Sequence, residues 1–239
     1  MSSTTARDIN YDHAGVTMIG RMVVPGDGVG KLPAVIVIHE AFGLGDHAIA
    51  AAERLAEAGY AAFALDLWGD RQQCSLPGVM DNIAQLVSDG AAWMGRIEAA
   101  RAVFASQPEV DADRMAAIGY CFGGASALEF ARTGHTIKAV VSLHGGLDPV
   151  GKDWSANQAR VLVCTGFDDP MVPASALTAF EVAMTAAGVN WEVNLYGGTK
   201  HSFTNRDAAS AGMPDAIAYN EQADRRSWDS LTRFLSEAL

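Results

Sequence analysis

"AAIGYCFGGASALEF", residues 116–130, is the stretch from which the fold is read. An apolar run ends at Tyr120, Cys121 follows, and two glycines open a helical pattern. A continuous apolar run suits a strand buried on both faces of a parallel sheet, and small residues after it suit a sharp strand-to-helix turn. Gly119-Tyr120-Cys121-Phe122-Gly123 fits the G-x-nucleophile-x-G pattern with cysteine as the nucleophile. At such a turn the nucleophile is held in strained backbone with its side chain at the tip. The amide of the next residue, here Phe122, lies at a helix N-terminus, where it can stabilise an oxyanion. The competing reading makes Cys121 a small buried hydrophobe at a helix start.

Outward from this turn, similar apolar runs recur at 33–40, 61–68, 137–144, 159–166 and 191–198, with a candidate edge strand at 17–25. Helical patterns fill 46–59, roughly 79–105, 123–134, 175–188 and about 214–238. Gly59, Gly134 and Gly188 fall where left-handed helix ends are expected. This alternation predicts an α/β protein, a three-layer sandwich around a mostly parallel sheet of about seven or eight strands. The 239 residues suit a single domain, 1–239. The Gly-rich segment 26–30 is read as a turn, since no helix follows it to form a nucleotide loop.

Composition narrows the function. Seventeen Lys and Arg against 28 Asp and Glu give a net charge of −11, and the basic residues form no stripe, which disfavours nucleic acid and anionic membrane surfaces. No secretory signal or membrane span is expected, and the three widely spaced cysteines suit a reducing, cytoplasmic setting without disulfides or a zinc site. The sequence sets no oligomeric state. "HEAFG" (39–43) lacks the second histidine of a zinc protease motif. Cys164 is read as core packing, and Cys74 lies in a polar loop.

In open parallel sheets functional residues follow the strand ends. A thiol needs a base and the base needs an orienting acid, in the chain order nucleophile, acid, base. "GFDDPMVPA" (166–174) offers Asp168 or Asp169 as the acid, and the residues alone do not choose between them. "GGTKHSFTN" (197–205) offers His201, the only histidine after that acidic loop. A second oxyanion amide is expected from Ala41 or Phe42, and Glu40 beside them is either a structural acceptor or part of thiol activation. His144, in "HGG" (144–146), is read as a pocket wall or a satisfied core histidine.

Taken together, "VIVIHEAFGL", "LAEAGYAAFALDLWG", "IGYCFGGASAL", the D-x-x-V-P pattern of "GFDDPMVPA" and "HSF" resemble the dienelactone hydrolase family of α/β-hydrolases, over roughly residues 16–236. The resemblance implies Cys121 as nucleophile, His201 as base and Asp169 as acid, with the amides of Phe122 and Ala41 as the oxyanion hole. It gives Glu40 a gating role, contacting the resting thiol and moving away when substrate binds. It also implies hydrolysis of a carboxylic ester or lactone through a thioester, without cofactor or metal. The family's two carboxylate-binding arginines are altered: Asn205 stands four residues after His201, with Arg206 next to it, and no basic residue lies between Arg71 and Arg96. A neutral or weakly polar ester is therefore expected in place of dienelactone, in a pocket lined by Phe42, Trp68, His144, Phe203 and Arg206. An activated phosphotriester is at most a secondary substrate. The reading from another class is a non-catalytic or thiol-sensing protein of the same fold.

Overall fold

A computed structural model of the chain describes residues 3–26, 30–75, 78–147 and 150–239. The elements are β1 (Thr4–His13), β2 (Val16–Pro25), β3 (Leu32–Ile38), α1 (Asp46–Glu57), β4 (Ala61–Ala64), α2 (Gly78–Ser88), α3 (Gly90–Ala105), β5 (Val110–Tyr120), α4 (Phe122–Arg132), β6 (Ala139–Leu143), β7 (Arg160–Gly166), α5 (Ala174–Ala186), β8 (Trp191–Tyr196) and α6 (Glu221–Ala238). Eight strands follow the sheet order β1-β2-β4-β3-β5-β6-β7-β8. The sheet is open and mostly parallel, with antiparallel pairing where β2 meets β1 and β4. The chain divides into two compact units, Met1–Ala117 and Ile118–Leu239, and the division falls inside β5.

In the first unit, β3 and β4 pair in parallel from Ala34↔Ala61 to Val37↔Ala64. Their Ala, Val and Ile side chains are fully buried, as the continuous apolar runs require. α1 buries Ala48, Ala51, Ala52, Leu55 and Ala56, a stripe at three- and four-residue spacing. It is followed by Gly59 at φ 96°, the left-handed stop that the sequence predicts.

Two differences from the sequence reading are local. The helix expected over 79–105 is two helices, because Asp89 caps the second by accepting from the Ala92 N–H at 3.0 Å. β1 is an unexpected strand: its polar sequence leaves it largely exposed and hides the periodic signal, yet it pairs with β2 over its whole length. The turn expected at 26–30 lies partly outside the described residues, at 27–29.

The second unit carries β6, β7 and β8 in parallel register, Ala139↔Arg160 to Leu143↔Cys164 and Val161↔Trp191 to Gly166↔Tyr196. Gly134 and Gly188 follow α4 and α5 at φ 84° and 70°. α6 starts at Glu221, capped by Asn220, later than the expected position near 214. The intervening backbone is used otherwise. His201 N–H donates to the Ala216 carbonyl at 3.0 Å, and Ala218 N–H donates to the His201 carbonyl at 3.1 Å, so 216–218 runs beside His201 as a short bridge.

Candidate active site

Cys121, Asp169 and His201 all lie in the second unit. Cys121 joins the end of β5 to the start of α4 at φ 53°, ψ −119°. A residue with a Cβ enters that region only at a cost, so surrounding contacts must hold it there. The Cys121 N–H is shared between the Leu143 carbonyl at 3.0 Å and Nδ1 of His144 at 3.1 Å. Its carbonyl accepts from Gly124 N–H at 2.9 Å and Ala125 N–H at 3.3 Å. The flanking glycines are steric requirements: a Cβ on Gly119 would collide with the Gly123 carbonyl, and one on Gly124 would lie 2.6 Å from Ser142 Oγ.

Nδ1 of His201 lies 2.8 Å from Oδ2 of Asp169, and both side chains are buried. Since the carboxylate can only accept, Nδ1 carries a proton and Nε2 is left to exchange one. Nε2 is buried. Oδ1 of Asp169 accepts from the Met171 N–H at 2.8 Å, which fixes the carboxylate plane. The adjacent Asp168 is exposed, so the two carboxylates that the residues alone leave open are separated by the fold. A Cβ on Gly166 would meet the Thr199 carbonyl, so a glycine permits the acid loop and the histidine loop to approach. Burial works against a charged His201, but attraction to Cys121, with the hydrogen bond and charge of Asp169, outweighs it and pushes the imidazole up to about 10.

Three residues expected to line the pocket are placed differently in this unit. His144 is fully buried, with Nδ1 accepting from the Cys121 N–H and Nε2 2.8 Å from Thr204 Oγ1. Both ring nitrogens are thereby engaged, so His144 is the satisfied core histidine of the two readings and supports the turn. Phe203 is also fully buried, edge-on to the rings of His144 and Tyr196 at 5.2 and 5.6 Å. It packs behind the histidine loop and forms no open wall. Arg206 is exposed, with its guanidinium 6.0 Å from the centre of the Tyr219 ring.

The remaining candidates lie in the first unit. Ala41 is 6% exposed and Phe42 38% exposed, in the turn that follows β3. Oε1 of Glu40 is 3.1 Å from Nδ1 of His47. Trp68 is buried and donates its indole N–H to the Ala41 carbonyl at 3.0 Å. It lines a cleft of about 240 Å³ with Gln72, Asn82, Gln85, Asp89 and Arg96. Arg96 is committed to the Leu67 carbonyl at 2.8 Å, and Arg71 to Asp8 at 2.6 Å and the Ile19 carbonyl at 3.0 Å.

Sequence reasoning missed Asp66. This fully buried carboxylate accepts from the N–H groups of Trp68 and Gly69 on one oxygen and of Ile19 and Arg71 on the other, at 2.8–3.1 Å. The available signal was an acid directly after an apolar strand. Cys164 is buried core, and burial pushes its thiol up to about 12. Cys74 is half-buried, its sulfur accepting from Asn82 Nδ2 at 3.1 Å. No described helix is long and apolar enough to cross a membrane.

Residues 19–239 match the model of the dienelactone hydrolase family. The crystal structure of a dienelactone hydrolase-like promiscuous phosphotriesterase from metagenomic libraries superposes with a TM-score of 0.95 at 40% identity, covering 99% of each chain. A Bradyrhizobium protein named as a probable 2-oxo-3-(5-oxofuran-2-ylidene)propanoate lactonase is 30% identical, over 73% of this chain and 74% of its own. A Synechocystis protein provisionally named a carboxymethylenebutenolidase is 26% identical over 88% of both chains.

Proposed function

Because the chain belongs to the dienelactone hydrolase family, we propose that it hydrolyses carboxylic esters or lactones with Cys121 as nucleophile, through a thioester. The observation that carries this reading is the strained turn holding Cys121 in the same unit as a buried His201–Asp169 pair. A cysteine kept only for packing needs neither positive φ nor a buried acid–histidine partner.

His201 Nε2 takes the Cys121 thiol proton as the sulfur attacks the ester carbonyl, and the C–S bond forms while the carbonyl π electrons move to oxygen. Collapse of the tetrahedral intermediate breaks the C–O bond, and His201 gives its Nε2 proton to the departing alkoxide. Attack also moves the negative charge from the sulfur to the carbonyl oxygen, before the leaving group departs. The part that Cys121 plays in raising the His201 affinity for protons is then gone, and the part of Asp169 remains. The imidazole becomes a better donor to the leaving group, and afterwards a neutral base for the water that hydrolyses the thioester. Asp169 keeps the ring in the tautomer that both steps use.

The amides of Phe122 and Ala41 are proposed to receive the oxyanion, and Glu40 to gate the thiol. The substrate is proposed to be neutral or weakly polar. Arg71 and Arg96 are each engaged by hydrogen bonds within the protein, so neither is a spare clamp for a substrate carboxylate. The 40% identity to a promiscuous phosphotriesterase favours activated phosphotriesters as a second substrate class.

The test is the time course of p-nitrophenolate release from p-nitrophenyl acetate. Steady turnover that Cys121→Ala abolishes is expected. Activity that survives the substitution removes Cys121 from the mechanism. A single stoichiometric burst without turnover favours the thiol-sensing reading.

A further inference from the structure

We propose that His39 and Trp68 are positioning residues that lock the two peptides after Glu40, so that the Ala41 and Phe42 N–H groups are held ready for the substrate oxyanion; this rests on the acyl-transfer reading above. A trans peptide is planar and its C=O and N–H point in opposite directions, so fixing a carbonyl aims the N–H of the following residue. Both carbonyls here are fixed by side-chain donors.

His39 is fully buried at the end of β3, and its Nε2 accepts from the Leu67 N–H at 3.0 Å. The ring proton is therefore on Nδ1, which donates to the Glu40 carbonyl. This fixes the Glu40–Ala41 peptide. Trp68 Nε1 donates to the Ala41 carbonyl at 3.0 Å, which fixes the Ala41–Phe42 peptide. Trp68 is itself held through its own N–H by the buried carboxylate of Asp66. Cys74 N–H closes the segment by donating to the Phe42 carbonyl at 2.8 Å.

The N–H groups so aimed donate to no acceptor among the described residues. For Ala41, only 6% exposed, such a group is unusual, since buried N–H groups are almost always paired. A donor left empty and braced on both sides is what a preorganised oxyanion site requires, because it costs no reorganisation when charge develops.

The experiment compares Trp68→Phe, which keeps the ring and removes the N–H, with His39→Leu, which removes the Nδ1 donor, and His39→Asn, which restores an amide donor near that position. Two readouts are taken on folded protein: kcat and KM for p-nitrophenyl acetate, and the rate of Cys121 alkylation by iodoacetamide. Alkylation is a displacement at carbon and needs no oxyanion site. Trp68→Phe and His39→Leu are expected to lower kcat about 10- to 100-fold with KM and alkylation little changed, and His39→Asn to recover part of the loss. Unchanged kcat in Trp68→Phe and His39→Leu overturns the proposal, as does a parallel fall in alkylation, which would place the effect on the thiol. A raised KM at constant kcat would make Trp68 a pocket wall only. Failure of the acyl-transfer reading is distinguishable, because it appears as turnover that survives Cys121→Ala.

Discussion

At the scale of single residues, the Asp169–His201 pair fixes the pH behaviour. His201 is held near 10, above its unfolded value of about 6.5, so the stability it contributes is fully present below about pH 6.5 and is lost as pH rises through about 10. Asp169→Asn removes a charge and weakens the hydrogen bond that raise this value. The expected outcome is an alkaline limb of kcat/KM that moves to lower pH, with kcat reduced at least 100-fold, measured by pH–rate profiles of both proteins. An unmoved limb would mean that Asp169 does not set the charge of His201. The choice of Asp169 over Asp168 was not legible from residue type. Burial of one and exposure of the other made it, and burial is a property of the folded chain.

At the scale of elements, the β5–α4 turn depends on glycine for space. A methyl at residue 119 would overlap the Gly123 carbonyl, which the helix start cannot move without releasing the Cys121 backbone. Gly119→Ala is expected to lower stability by about 1–3 kcal/mol in urea unfolding and to reduce Cys121 alkylation and ester turnover together. A variant of unchanged stability and activity would show that the turn tolerates relaxation. This element was readable in the sequence because strand, bend and helix start are local and adjacent. The break between α2 and α3 was also written locally, in Asp89-Gly90, but an otherwise helical pattern masked it. β1 was not readable: most of its side chains other than Tyr11 are exposed or half-buried, and its partner β2 supplies the pairing that makes it a strand.

At the scale of the whole molecule, the division between the two compact units cuts β5 between Ala117 and Ile118. We propose that the chain unfolds as the single domain its length suggests. The expected result is one calorimetric transition, with equal calorimetric and van't Hoff enthalpies and coincident near- and far-UV dichroism curves. Two separated transitions would establish two independent domains.

The sequence by itself determined the α/β alternation, most strand and helix positions, the cysteine turn and the loops that carry Asp169 and His201. These are local patterns, set by side-chain periodicity and by glycine where backbone needs room. Tertiary structure alone decided that Asp169 is buried against His201 while Asp168 is exposed, that His144 and Phe203 are buried behind the histidine loop, and that Arg71 and Arg96 are already engaged. It also decided that the carbonyls of residues 40 and 41 are braced by His39 and Trp68. Such facts depend on contacts between residues distant in the chain or on the direction of a single peptide, and residue types in order carry neither.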